Sequence, residues 1–429
     1  MKCRENKKKN RVQLINFEDM VIIVMIGVWI FLIYMNMGKV DTYFSESENR
    51  ILMQKPKLEW ETVLSGEYGK EYESYLNDQF VARNQWISLK TSIEKILGKQ
   101  ESNGVYFGKD GSLLEKHQVQ DIEESLVTRK IEKLVSQVKG LDDLVTGEIH
   151  VMMIPTADTI QSYKLPAFAT VYDQYGFLEE LDQALGDENI RIPVEEVLEN
   201  HKEEYIYYRS DHHWTTLGAF YAYQQWKGGE QSEDENKFSS SASVISLLQA
   251  SEITALDYER TVVSDDFLGT LHAKINIPME PDQIEIFELR ENDNQKEIVV
   301  DYVYEDRVTA SFYEWSYLET KDQYGMFLDG NHPLIHIQVT EKVDQIGEMV
   351  EENTEEGNLE EMSQEQRNSI LVVKNSYANC FIPFLTAEYT DIYVIDPRFN
   401  RSSLDDFVIE KEIDDVLYLY DVINYIRNF

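Results

Sequence analysis

The sequence has two cysteines, Cys3 and Cys380, among 429 residues. So few exclude a disulfide framework and a cysteine-rich zinc module. Positive charge is equally scarce. Lys plus Arg number 40 against 79 Asp plus Glu, a formal net charge of −39. A surface this acidic repels a phosphate backbone, which argues against a nucleic-acid partner. No internal repeat is present, and only one stretch is apolar for long enough to span a bilayer. What the chain does have is 42% hydrophobic and 12% aromatic residues, 26 of them Tyr. That is unlike a disordered acidic chain. The length accommodates an α/β core with insertions.

Lys2, Arg4, Lys7, Lys8, Lys9 and Arg11 face a single acid, Glu5, at the start of the chain, and an uncharged run from Met20 to Met37 follows. At about 1.5 Å per residue this run nearly spans a hydrocarbon core. The basic flank belongs on the cytoplasmic side. The pattern predicts a cytoplasmic tail over 1–19, a transmembrane anchor over 20–37 and an extracytoplasmic remainder. Gly38, Lys39, Val40 and Asp41 provide no small-residue cleavage site, so the anchor is expected to be retained. Cys3 and Cys380 then lie on opposite sides and cannot pair within one chain.

Residues 38–100 read as a stalk and helical lead-in, with Leu76, Phe80, Ile87 and Leu89 at roughly helical spacing. Residues 103–111 read as a hairpin stretch ending at Asp110-Gly111, after which Ser112-Leu113-Leu114 resumes the strand. A helix is predicted over 122–141. Residues 149–154, stopped by Pro155, form a continuous apolar run, as do 370–373 before Lys374-Asn375-Ser376. Such runs are typical of buried parallel strands. A helix is expected over 377–385, and strands at 392–395 and 416–420. Strands alternating with helices predict an α/β, doubly wound parallel sheet with helices on both faces, spanning 101–429. Two stretches interrupt it as surface insertions near 228–260 and 341–367, the first Gly/Ser/Glu-rich and the second acidic. Between them, 261–339 reads as a strand-rich insertion containing Val299-Val300, Tyr302-Val303 and Ile335-His336-Ile337.

Chemistry concentrates in Arg209-Ser210-Asp211-His212-His213-Trp214-Thr215, ahead of a helix that Thr215 would cap. A metal reading would use Asp211, His212 and His213. Adjacent residues rarely aim at one ion, however, and no HExxH helix or cysteine pair assists, so no metal is expected. The sharper reading pairs Asp211 with His213. A carboxylate two residues away can accept the imidazole Nδ1–H and leave Nε2 free as a general base. The nucleophile must come from elsewhere. Ser376 closes an apolar strand and opens the next element, which displays its hydroxyl at the carboxyl edge of the sheet.

The segment Ser210-Asp211-His212-His213-Trp214-Thr215, with Leu217-Gly218-Ala219 after it, resembles the signature of the bacterial DHHW protein family. That family is related to the SGNH hydrolase-like proteins that include the alginate O-acetyltransferases. Further blocks agree in order. They are Ser47-Glu48-Asn49-Arg50, Asp78 with Arg83, Asn103 through Gly108, Ile154-Pro155-Thr156, Asp266-Phe267 with Gly269-Thr270, Gly330-Asn331-His332-Pro333, and Lys374 through Asn379. The resemblance implies an SGNH hydrolase-like fold. It casts Asp211, His213 and Ser376 as a catalytic set in a permuted chain order, and Trp214, Arg209 and Tyr377 as substrate-binding or supporting residues. Gly330 and Asn331 would resemble the oxyanion-hole glycine and asparagine. Related sequences commonly have Asp before the serine, where this one has Asn375. The implied function is a membrane-anchored, cofactor-free O-acetyltransferase or esterase acting on a cell-surface polysaccharide. A multipass membrane O-acyltransferase would be its donor-supplying partner. The alternative is an inactive glycan-binding or scaffold protein of the envelope. A divisome or sporulation component is a third reading.

Overall fold

In a computed structural model, the continuous apolar runs of the sequence become the buried strands of one seven-stranded sheet. The structure describes residues 16–45, 50–186, 190–230, 258–289, 296–341 and 368–429. The two predicted insertions fall mostly outside these. The chain divides into two units, one of residues 1–45 and 50–87 and the other of the remainder.

In the first unit, Phe17–Met37 is a helix with no buried residue. Among the described residues it alone is long and apolar enough to cross a membrane. The segment after it is more organised than a stalk. The Gln79 side chain accepts from the Thr42 amide (2.9 Å) and donates to the Thr42 carbonyl (2.8 Å), while Asp78 accepts from Met53 N (2.8 Å). Helices follow at Trp60–Ser65 and Glu67–Gln79, and the next along the chain is Arg83–Ile96.

The second unit holds the large sheet. Its strands are β1 (Ile149–Ile154), β2 (Lys296–Tyr302), β3 (Arg307–Thr309), β4 (Leu334–Glu341), β5 (Ser369–Lys374), β6 (Asp391–Ile395) and β7 (Asp415–Asp421). Their order is β3-β2-β4-β6-β5-β7-β1. From β6 through β5 and β7 to β1 the pairing is parallel. The other half is antiparallel, with β4 on β6, β2 on β4 and β3 on β2. The expected parallel sheet is therefore a mixed one. Val300 and Ile337, placed by the sequence in a separate insertion, pair with each other inside it. Antiparallel neighbours need only a tight turn, so strands from an apparent insertion extend an existing edge readily. The strand pair that does stand apart is Tyr258–Phe267 with Asp282–Leu289.

Both faces of the sheet are covered, as continuous apolar strands require. On β5, Ile370 and Val372 enter one core while Leu371 and Val373 enter the other; on β7, Leu417 and Leu419 alternate with Val416, Tyr418 and Tyr420. The first core includes residues of the Thr216–Glu230 helix. The second is filled by Glu124–Leu141, whose Val127, Ile131, Leu134, Val138 and Leu141 form a buried stripe at helical spacing. The helix predicted over 377–385 is instead two 3-10 helices, Ser376–Cys380 and Ile382–Ala387. Pro383 explains the break, since a proline within an α-helix removes a bond and clashes with the carbonyl four residues back.

Leu417 is fully buried on β7, between β5 and β1. Leu417→Ala is expected to cost about 3 kcal/mol of unfolding free energy, measured by chemical denaturation. A loss below 1 kcal/mol would mean that β7 is not part of a close-packed core.

Candidate active site

The segment carrying the two histidines folds as a tight loop. Tyr207 and Trp214 bridge antiparallel, and Thr215 N donates to Ile206 O (2.9 Å). Thr215 Oγ1 then accepts from Gly218 N (3.3 Å), capping the Thr216–Glu230 helix as expected. The base of the loop is pinned by Asp282, a fully buried carboxylate. Its oxygens accept from Tyr205 Oη (2.6 Å), Arg209 N (3.0 Å), Ser210 N (2.7 Å) and Ser210 Oγ (2.5 Å).

Asp211 sits just above, 2% exposed. One oxygen accepts from Thr270 N and Thr270 Oγ1, both at 2.7 Å; the other accepts from His213 Nδ1 (2.5 Å) and His213 N (3.2 Å). Thr270 comes this close only because Gly269 has no side chain. A Cβ there would stand 2.3 Å from Asp211 Cβ. The remaining imidazole nitrogen, His213 Nε2, lies 2.8 Å from Ser376 Oγ. Because the carboxylate can only accept, His213 carries its proton on Nδ1 and offers the Nε2 lone pair to the serine hydroxyl. The structure thus brings Asp211, His213 and Ser376 into one hydrogen-bonded chain, in which a hydroxyl can pass its proton to an imidazole as it attacks.

His213 stacks on Tyr324, with ring centres 3.9 Å apart and planes at 10°, and its ring centre is 3.8 Å from that of His212. The Thr270 hydroxyl is spent on Asp211, so it accepts from His212 Nδ1 (2.8 Å). The charges follow from this packing. Burial, and then the His212 charge, hold the His213 imidazole down at about 4. Burial opposes the charge on Asp211, yet the two imidazoles keep it well below the usual carboxylate range. His212 is also penalised by burial, but Asp211 raises its pKa.

The serine side is held as firmly. Asn375 accepts from Tyr377 N (3.1 Å) and donates to Asp421 Oδ2 (2.7 Å) at the end of β7. Tyr324 Oη donates to the Ser376 carbonyl (3.0 Å), and Trp214 Nε1 to the Tyr377 carbonyl (2.8 Å). Tyr377 Oη donates to the His212 carbonyl.

Trp214 and Tyr377, read as substrate-binding or supporting, are fully buried. Both stitch the histidine loop to the serine turn. Arg209 is turned to Asp282 (3.2 Å) and the Pro281 carbonyl (2.8 Å). Asn331 and the Gly330 carbonyl reach the serine turn through Lys374 and Asn379, respectively. Donor atoms of Asp211, His212 and His213 lie within 4.8 Å of one another, the crowding a metal site needs. Each residue there is already hydrogen-bonded within the protein. Asp282, Tyr324 and Asp421 were missed from the sequence. Thr270 appeared only as part of a resemblance, with no role. None carries a spacing signal, because each acts across a long stretch of chain.

Asn375→Asp would set two buried carboxylates against each other. Beside the Asp421 carboxylate, the new carboxyl titrates above its unfolded pKa, so the folded state binds more protons and stability falls as pH rises. The variant is expected to be destabilised by about 3 kcal/mol at pH 7. That deficit should fade below about pH 4, as followed by thermal unfolding across pH. A deficit independent of pH would exclude the charge as its cause.

Residues 152–238 match the family described as DHHW protein. No curated protein matches the chain in sequence. Among solved structures, a DHHW family protein from Eubacterium siraeum is similar at 18% identity, covering 76% of this chain and 93% of that one, with a TM-score of 0.51. Bacillus cereus PatB1 is similar at 19% identity over 74% of this chain and 95% of that one, with a TM-score of 0.54; it is also known with a sulfonyl adduct. The O-acetyltransferase domain of Pseudomonas putida AlgJ matches more distantly, at 11% identity over 76% of this chain and 93% of that one, TM-score 0.39. The DHHW resemblance therefore stands on a direct family match over the segment that holds Asp211, His212, His213 and Trp214, carried on a fold shared with a DHHW family protein.

Proposed function

We propose that the chain is a membrane-anchored, extracytoplasmic O-acyltransferase or esterase acting on a cell-surface polysaccharide. Ser376 is its nucleophile, His213 its general base and acid, and Asp211 the group that fixes the imidazole. The observation that carries this reading is the unbroken order Asp211 Oδ2, His213 Nδ1, His213 Nε2, Ser376 Oγ, at 2.5 and 2.8 Å. As the serine oxygen attacks an acyl carbonyl, its proton moves to Nε2. The leaving alcohol takes that proton when the acyl C–O bond breaks. A sugar hydroxyl or water then attacks the acyl carbon while giving its proton to Nε2, and that proton returns to Ser376 Oγ as the acyl–serine bond breaks. General base assistance of this kind contributes roughly 10²–10⁴-fold.

The sulfonyl adduct of the related PatB1 supports the reading, since such adducts form on activated nucleophiles. Residues 20–37 of the Phe17–Met37 helix would be the anchor, with residues 1–19 cytoplasmic, 38–100 the stalk and helical lead-in and 101–429 the SGNH-like, doubly wound catalytic domain. A multipass membrane O-acyltransferase would deliver the acyl group across the bilayer.

Hydrolysis of 4-nitrophenyl acetate by the detergent-solubilised chain tests this. Ser376→Ala should lower kcat at least about 10³-fold without shifting the unfolding midpoint, and His213→Ala should lower it about 10²–10⁴-fold with a lower midpoint, because the ring also donates to buried Asp211. Wild-type activity in both would overturn the assignment. Glycan binding with no serine labelling by a fluorophosphonate would favour the inactive binding protein.

The base must be neutral to work. With the His213 pKa held near 4, kcat/KM should stay level on acidification through pH 6 and fall only as pH drops through about 4. An acidic limb near the ordinary imidazole value of about 6.5 would show that burial and His212 do not depress the base in this way.

A further inference from the structure

At neutral pH His213 is uncharged, its pKa held at about 4. When Ser376 attacks, the serine proton moves to Nε2 and the ring becomes an imidazolium. The two N–H bonds of that cation lie in the ring plane, toward Asp211 Oδ2 and Ser376 Oγ. Only the ring faces remain to meet other groups. Tyr324 lies against a face, with ring centres 3.9 Å apart and planes at 10°. His212 is as close but tilted at 38°, and its charge opposes a second one on His213. Tyr377 stands further off, at 5.3 Å and 49°.

Several contacts keep Tyr324 in that place. It belongs to the 3-10 helix Gln323–Met326 and is 5% exposed. Its hydroxyl donates to the Ser376 carbonyl (3.0 Å), which fixes the far end of the ring. Tyr208 meets it edge-on, at 6.1 Å and 83°. The preceding Gln323 accepts from Ser264 Oγ (2.5 Å) and donates to Asp266 Oδ1 (2.7 Å) on the ribbon strand. Burial pushes the phenol well above its ordinary range, so the ring stays neutral. An aromatic face carries partial negative charge and attracts a cation, most strongly where water is excluded. A neutral imidazole gains little from that face. The contact therefore strengthens as the proton arrives, and an interaction stronger in the transition state than before it lowers the barrier. A leucine would fill the same space without this gain.

We propose that the face of Tyr324 stabilises the His213 imidazolium that forms as Ser376 gives up its proton. Tyr324 acts through His213 and is a positioning residue for the reaction. The inference rests on Ser376 being the nucleophile and His213 its base. A desolvated contact of this kind is worth up to about 30-fold in rate.

The test uses the full chain in detergent with 4-nitrophenyl acetate, reading kcat and KM separately alongside the unfolding midpoint. Acylation and deacylation both pass through the imidazolium, so kcat reports on it whichever step limits. Tyr324→Phe removes the hydroxyl and sets the reference. The same position is then filled by 4-fluoro-, 3,5-difluoro- and 3,4,5-trifluorophenylalanine, which draw electrons from the ring face and barely change its shape. Each added fluorine should lower kcat, by about 10-fold across the series, with KM and midpoint unchanged. Tyr324→Leu should be slower than Tyr324→Phe by about 10–30-fold. If Tyr324→Leu fails to fold, the fluorinated series decides the matter by itself. A constant kcat across that series, while turnover still depends on Ser376, overturns this inference alone. A midpoint that falls in step with kcat assigns Tyr324 to packing and overturns it equally. If turnover does not depend on Ser376, the reading of the site falls and the inference falls with it.

Discussion

Asp211 is an ionised carboxylate almost without solvent contact, and the site is built around keeping it so. Removing such a charge from water costs several kcal/mol unless donors surround it. They arrive from two directions. His213 supplies its ring and its amide, and Thr270 supplies a hydroxyl and an amide. Thr270 can reach only because Gly269 lies against Asp211, and Gly269 N is in turn held by Ser210 Oγ (3.0 Å). Ser210 is fixed by Asp282. The strand pair Tyr258–Phe267 and Asp282–Leu289 flanks both clamps. What looks like an accessory ribbon therefore sets the position of the His213 imidazole.

The mixed sheet divides the remaining work. Its parallel half brings three strand ends together. Pro155 after β1 accepts from Tyr207 Oη (2.6 Å), Asp421 closes β7, and Asn375-Ser376 follows β5. Polar groups gathered outside the carboxyl ends of parallel strands form the usual crevice for ligands in open α/β sheets. The antiparallel half contributes differently. The segment leading into β4 carries Tyr324, which holds the Ser376 carbonyl, and the strained Leu328–Gly330 turn. A wholly parallel sheet would have no such segment arriving at this edge.

Apolar runs such as 149–154 and 370–373 announced themselves, because a strand buried on both faces has no freedom to be polar. The histidine box was legible for a similar reason. The carboxylate and imidazole lie two residues apart, so their hydrogen bond is a local property of one turn. Ser376 could be named from its place after a strand, although its meeting with His213 joins residues 163 apart. The parts that escaped notice depend on tertiary context. Val300 and Ile337 have the same β-branched character in an insertion or in a main sheet, and pairing alone decides between them. Pro383 marked the end of a helix in the sequence, yet its clash falls one turn back, and two 3-10 helices stand where one helix was expected. Asp282 and Lys374 look like ordinary surface charges until the fold buries them.

Asn375 bears on the proposed chemistry, since related sequences commonly carry a charge before the serine and this one does not. The geometry shows what the position supplies. Its Oδ1 accepts from the Tyr377 amide, which shapes the turn, and its Nδ2 donates to Asp421. Asp421 also accepts from Asn424 N (2.9 Å), capping the Val422–Asn428 helix. An amide satisfies the acceptor and donor demands together while remaining uncharged, whereas an ionised carboxylate satisfies only the first. The partner of Ser376 Oγ is His213 Nε2, and Asn375 does not compete for it. An asparagine here keeps the turn and leaves the proton path from serine to imidazole intact. The departure is thus a substitution within the scaffold of the serine turn, and it gives no physical ground for an inactive site.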